Sequence, residues 1–116
     1  MNISKFTQKS LKAVQDCEKL AYEYGHQQID EEHFLYCLLN DKEGLLPKLF
    51  QKMDINTEVF LAQLQGLLNK RPKVTGGDVY ISNDLNKVLI YAENEASAMG
   101  DQYVSVEHLF LSLLKY

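Results

Sequence analysis

Glu32-His33 and Glu107-His108 are the two places in this 116-residue chain where a carboxylate directly precedes an imidazole. Side chains of these types hold metal when a fold gathers them, but the helical zinc signature needs two histidines four residues apart. Each segment offers one histidine, so both are expected to pack or to lie at the surface, and no metal site is expected. Cys17 and Cys37 are the other reactive candidates. Neither has a histidine or acid at catalytic spacing, and both fall inside apolar patterns, so they are expected as reduced core residues. No G-x-x-x-x-G-K-[ST] segment is present to cradle nucleotide phosphates. Without a catalytic constellation, the chain is expected to be a binding module and not an enzyme.

Charge narrows the partners. Twelve Lys and Arg against sixteen Asp and Glu leave a formal charge of −4, which argues against nucleic acid and anionic lipid surfaces. A hydrophobic content of 46% is enough for one packed core. No apolar run reaches the ~18 residues of a membrane span, and Met1-Asn2-Ile3-Ser4-Lys5-Phe6 lacks the apolar stretch of a secretory signal. A cytoplasmic location is therefore expected.

Helices must position these residues, because the apolar period is helical almost throughout and no strand pattern competes with it. Leu11, Val14, Cys17, Leu20, Ala21 and Tyr24 form one stripe from about Thr7, its N-cap, to a stop at Gly25. Asp30 caps a second helix, with Ile29 and Phe34 placed as a hydrophobic staple. Leu45, Leu46, Leu49, Phe50 and Met53 mark a short third helix with Pro47 in its first turn. Asn56 caps a fourth, striped by Phe60, Leu64, Leu67 and Leu68. Lys70 to Asp78 carries Pro72 and paired glycines with no apolar period, and so reads as a mobile linker. Ser82 then opens a fifth helix striped by Leu85, Val88, Leu89, Ala92, Ala96 and Met99 and stopped at Gly100, and Ser105 opens a sixth.

Sliding the chain by 75 residues superposes these elements. Lys12 falls on Lys87, Ala21 on Ala96, Gly25 on Gly100, Gln27 on Gln102, Glu32 on Glu107, His33 on His108 and Leu38 on Leu113. The caps coincide too, Thr7 with Ser82 and Asp30 with Ser105. The expected fold is all-α: two pseudo-duplicated helical repeat units, the first over residues 1–69 with four helices, a linker over 70–80, and a second over 81–116 that is incomplete.

With Phe6-Thr7, Gly25-His26, Ile29-Asp30-Glu31-Glu32-His33 and their echo Gly100-Asp101, Val104-Ser105-Val106-Glu107-His108, essentially the whole chain resembles the N-terminal domain of the Clp-type AAA+ ATPases. The connector Lys70-Arg71-Pro72-Lys73-Val74 with Gly76-Gly77, followed by Ile81-Ser82-Asn83-Asp84-Leu85, is more similar to the ClpB disaggregase branch than to the protease-linked members. The resemblance implies a fold of two four-helix units, so the last two helices would lie beyond this chain. It also implies capture of unfolded or aggregated polypeptide for a hexameric motor, with a co-chaperone or adaptor as a further partner. ATP and magnesium would be bound elsewhere in a parent chain, and no cofactor in this domain.

Val88-Leu89-Ile90-Tyr91 is apolar over four consecutive positions, which spread through ~300° of a helix and cannot all face one core. The matching positions of the first repeat, Gln15 and Asp16, are polar, so Ile90 and Tyr91 either mark a binding strip or pack under another element. Glu32 and Glu107 sit in first turns, where a carboxylate favours the helix dipole and needs no other function. The resemblance adds that Thr7, Asp101 and Glu107 would orient a client chain, with Leu89 and Tyr91 giving apolar contact. His108 stands where ClpB-type domains carry an apolar groove residue. In the ClpC-like alternative, an adaptor-docking or phosphoarginine-reading domain, Glu32 and Glu107 would be twin cation anchors.

Overall fold

The computed structural model describes residues 5–74 and 77–115; Thr75 and Gly76 of the connector and Tyr116 of the second repeat lie outside the described residues. Four of the helices, α1, α2, α4 and α5, begin where a side chain accepts an orphan N–H. Thr7 accepts from the Ser10 N–H to open α1 (Gln8–Tyr24), which ends at Gly25 with φ 75°. Asp30 opens α2 (Glu31–Asn40). In α3 (Leu45–Lys52) Pro47 lies in the first turn, where its missing N–H is no loss. Asn56 accepts from Val59 to open α4 (Thr57–Lys70), and Ser82 accepts from Leu85 to open α5 (Asn83–Ala98). Gly100, with φ 74°, takes the left-handed turn that leads towards α6 (Val106–Lys115). The architecture is all-α, as expected.

Two short parallel pairings depart from the purely helical expectation. β1 (Gln28–Ile29) pairs with β2 (Tyr80–Ile81), and Phe6 forms an isolated bridge with Val104. Shifted by 75, Phe6 becomes Ile81 and Ile29 becomes Val104, so the two pairings are one contact made twice. The Thr7 N–H donates to Val104 O at 3.0 Å, and the Ser82 N–H donates to Ile29 O at 2.8 Å. Each repeat thus inserts the residues before its long helix beside the turn between the other repeat's helices, and the repeats are tied reciprocally.

The core is continuous across this seam. Phe34, Leu38, Leu39, Leu46, Phe50 and Leu64 fill the first repeat, Leu85, Val88, Leu89, Ala92 and Leu109 the second, and Phe6, Ile29 and Val104 lie between. Small residues let the long helices approach their partners closely; the Ser112 hydroxyl donates to Val88 O at 2.6 Å. Leu67 and Met99, expected in apolar stripes, are exposed. Leu64 and Leu68 already fill the buried side of α4, and Met99 is the C-cap of α5.

The connector, expected to be mobile, is fastened to the first repeat through its described residues. The Val74 N–H donates to Gly25 O and the Tyr80 N–H to Gln27 O, both at 2.9 Å. No helix among the described residues is long and apolar enough to cross a membrane.

Candidate functional site

The turn between α5 and α6 gathers four of the residues singled out in the sequence. Ser10 donates its hydroxyl to Val104 O at 2.9 Å while its N–H and hydroxyl both meet Thr7 Oγ1, at 3.2 and 2.9 Å. This ties the start of α1 to the turn. On the other side of Val104, the Ser105 N–H donates to His108 Nδ1 at 2.9 Å, and His108 Nε2 faces Asp101 Oδ2 at 2.8 Å. Because Nδ1 accepts, the ring proton of neutral His108 sits on Nε2 and donates to the Asp101 carboxylate. The Ser105 hydroxyl, expected to cap α6, instead donates to Glu107 at 2.7 Å and contacts His108 at 2.9 Å.

Two expected contact residues are placed differently. Leu89 is 1% exposed and belongs to the core, and His108 is 3% exposed. Neither side chain can form a groove wall. Leu89 lies on the face of α5 turned towards the core with Val88 and Ala92, and His108 is drawn in by its two hydrogen bonds. Ile90 is 40% exposed and Tyr91 is half-buried, so the apolar strip reaches the surface one residue later than Leu89. Thr7 is half-buried, and Asp101 and Glu107 are exposed.

Beside the turn lies an open cleft of about 470 Å³ whose floor is Ala96 and Val104 and whose walls include Lys5, Glu93, Ser97, Asp101, Gln102 and Tyr103. Tyr103 is 57% exposed. Sequence reasoning missed it, although the signal was present: its repeat mate is Gln28, so the second repeat has gained an aromatic ring at an exposed turn. The cleft therefore combines a ring, amide and hydroxyl groups, one cation and two carboxylates. That mixture can meet both apolar and polar groups of a ligand.

The first repeat is arranged differently. Arg71 reaches Asp30 at 2.6 Å and Glu32 at 2.7 Å, all three side chains being half-buried. Glu32 thus already holds a guanidinium of its own chain, whereas its mate Glu107 faces a serine. Burial works against the Asp30 charge, but Arg71, the Glu31 N–H and the Ser82 hydroxyl outweigh it and hold this carboxyl below its usual value. Burial likewise opposes the Arg71 charge, and the two carboxylates outweigh it. Asp30, Glu31 and Asp84 have carboxylate oxygens within 4.8 Å of one another and could reach one cation, but Asp30 is already engaged by Arg71, Ser82 and Glu31.

A second imidazole stands where the second repeat has Asp101. His33 Nδ1 accepts the Asp30 N–H at 2.9 Å and completes the capping box of α2, and its Nε2 lies 2.8 Å from His26 Nδ1. Both rings are buried, and His26 stacks on Tyr24 with centroids 5.4 Å apart. Burial, the His26 ring and Arg71 push His33 down to about 4. Burial and then Arg71 also lower His26, against a smaller opposing effect of the Leu68 carbonyl.

With this geometry in place, the family is decided by comparison. The family model described as the Clp repeat (R) N-terminal domain matches residues 5–116. This chain belongs to the Clp repeat N-terminal domain family. A chaperone protein ClpB from Nitratidesulfovibrio vulgaris is 40% identical over 120 aligned positions, covering 99% of this chain and 14% of that protein. The chain therefore spans about one seventh of the length of its ClpB relatives. The N-terminal domain of the ClpV1 ATPase of E. coli superposes with a TM-score of 0.89 at 25% identity, over 97% of this chain and 69% of that one. A ClpV N-domain solved in complex with a VipB peptide shares the fold, with a TM-score of 0.79 at 20% identity, over 97% of this chain and 69% of that one. The chain is thus a Clp repeat N-terminal domain, similar in sequence to part of ClpB chaperones and in fold to the N-terminal domain of the ClpV1 ATPase.

Proposed function

We propose that this domain captures unfolded or aggregated polypeptide at the α5–α6 turn, in the manner of a ClpB-like disaggregase, and passes it to the hexameric AAA+ motor of a longer chain. The observation that carries this reading is the asymmetry between the repeats. The second repeat presents Tyr103 and Asp101 at an open cleft, with Glu107 exposed in the first turn of α6; in the first repeat Gln28 stands at the place of the ring and His26 at that of Asp101. A twin reader of cationic residues needs two equivalent acidic sites, and the Arg71 pairing weighs against it. The peptide held by the ClpV N-domain supports a polypeptide as the ligand class.

On this reading the Tyr103 ring covers apolar client side chains, and Asp101 and Glu107 accept from client N–H groups or cations. Thr7 and Ser10 hold the turn's backbone so that the carboxylates do not drift. The buried His108 positions Asp101. Affinity is modest, because a disordered client loses conformational entropy on docking, and modest affinity suits onward release. ATP and magnesium are assigned to the motor modules, the location to the cytoplasm, and a co-chaperone or adaptor is a further partner.

Tyr103→Ser tests the cleft with little risk to the fold, since the ring is largely exposed. Fluorescence anisotropy with a labelled, permanently unfolded polypeptide is expected to show about fivefold weaker binding, as befits the loss of one aromatic contact of roughly 1 kcal/mol. Unchanged affinity in the folded variant would remove the cleft from the capture surface.

A further inference from the structure

We infer that Cys17 and Cys37 form an oxidisable thiol pair, a site at which a peroxide converts two free thiols into a disulfide joining α1 to α2. Both cysteines are free thiols in the folded chain. The residues that α1 buries, Ser10, Ala13, Cys17 and Ala21, are all small, so α2, which packs on α1, can approach its backbone closely. A disulfide requires such an approach, because its two Cα atoms stand about 4.4–6.8 Å apart.

The repeat gives an independent measure of the reach. A shift of 75 residues carries Ala13 onto Val88, Cys17 onto Ala92 and Cys37 onto Ser112. The Ser112 hydroxyl meets Val88 O at 2.6 Å. In a helix that carbonyl also receives the N–H of the residue four positions on, here Ala92. The γ atom of residue 112 therefore stands against the turn that ends at the mate of Cys17. Cys37 Sγ has the same reach from α2, and the Cys17 thiol is hydrogen-bonded to Cys37.

The two sulfurs differ in access, which sets the order of events. Cys17 is 1% exposed, and burial first, then the Cys37 thiol, hold it above the usual thiol range, so it keeps its proton. Cys37 is half-buried and lines two clefts that Lys12 and Asp16 also line, one of them open and about 390 Å³ in volume. A peroxide thus meets Cys37 first. The Cys37 sulfur attacks the O–O bond and becomes a sulfenic acid, and the other peroxide oxygen leaves as water. The Cys17 sulfur then attacks the Cys37 sulfur and displaces hydroxide, which takes the Cys17 proton and leaves as a second water. Two thiols have lost two electrons and two protons, and one hydrogen peroxide has become two waters. A dithiol reductant reverses the step by exchange.

The test treats the folded chain, without denaturant, with hydrogen peroxide and reads intact mass, free thiols and a peptide map. The expected product is a monomer lighter by two hydrogen masses, with no alkylatable thiol, a peptide crosslinked between Cys17 and Cys37, and full recovery in dithiothreitol. Cys17→Ala and Cys37→Ser each install the residue type of the matching position in the second repeat, so both variants are expected to fold. In Cys17→Ala, Cys37 is expected to gain oxygen in place of the crosslink; in Cys37→Ser, Cys17 is expected to stay reduced over the same time. Oxygen gained at Cys37 of the natural sequence with Cys17 left free, a disulfide between two copies, or two unreacted thiols would each overturn the pair. Oxidation of Cys17 in Cys37→Ser as fast as in the natural sequence would overturn the order of attack.

Discussion

Replacing Asp101 by asparagine is expected to weaken binding of unfolded polypeptide by about tenfold while leaving the domain folded. A hydrogen bond to a charged group contributes about 1.5–3 kcal/mol, and the half-exposed position of Asp101 places the effect at the lower end of that range. Asparagine retains an oxygen to accept from His108 Nε2, so the positioning contact at the turn survives. Asp101→Ala is expected to behave differently. It leaves the donor of a buried imidazole without an acceptor and adds a stability loss of about 1–3 kcal/mol to the same binding defect. Binding isotherms together with urea unfolding of both variants separate the two effects. If Asp101→Asn bound as tightly as the natural sequence, the carboxylate would have no part in capture.

The second large effect concerns pH and comes from the first repeat. Both lone-pair nitrogens of the His26–His33 pair are in use: His33 Nδ1 accepts from Asp30, and His26 Nδ1 accepts from His33 Nε2. A proton can enter only by breaking the α2 capping box or the contact between the rings, and it would add charge beside Arg71 and Lys73, opposed by Glu32. His33 is held at about 4 in the folded state, against 6.5 for a free imidazole. Between those values the unfolded chain binds more protons than the folded one, so stability is intact above 6.5, falls with decreasing pH and levels off near 4. The lowered His26 acts in the same direction. A gap of this size corresponds to roughly 3 kcal/mol, a large share of a small domain's stability. Urea unfolding followed by circular dichroism from pH 7 to 4.5 should record that decline. His26→Asp, which installs the pairing of the second repeat, should flatten it. An unchanged slope in His26→Asp would contradict the assignment to this pair.

What could be read in advance divides along the range of the interactions. Caps such as Thr7, Asn56 and Ser82 act on N–H groups within three residues, and the left-handed glycines at 25 and 100 act on their own backbone, so local pattern found them. The pairings Ile29–Ile81 and Phe6–Val104 bring together residues 52 and 98 positions apart, through segments too short to show alternation. Only the repeat hinted at them. His33 was expected to pack, but its role depends on His26, seven residues away in the turn before α2. Leu89 shows a different limit. Periodicity says that four consecutive apolar residues cannot share one face, and the polar Gln15 and Asp16 of the first repeat single out Ile90 and Tyr91, of which Ile90 is exposed and Tyr91 half-buried. The carry-over from the family placed Leu89 there instead, where the packing of α5 leaves it buried. Arg71 sat in a stretch that composition marked as linker, and nothing local indicated that two carboxylates some forty residues earlier would hold it.

The central claim is that the α5–α6 turn is where polypeptide docks. Its most direct test is the map of amide shifts produced in the natural sequence by reduced, carboxamidomethylated lysozyme at neutral pH. The account predicts saturable shifts concentrated on Lys5, Thr7, Asp101, Tyr103 and Glu107, with the buried helix interiors unmoved. Shifts centred on α3 and α4, or no shift at millimolar ligand, would contradict it.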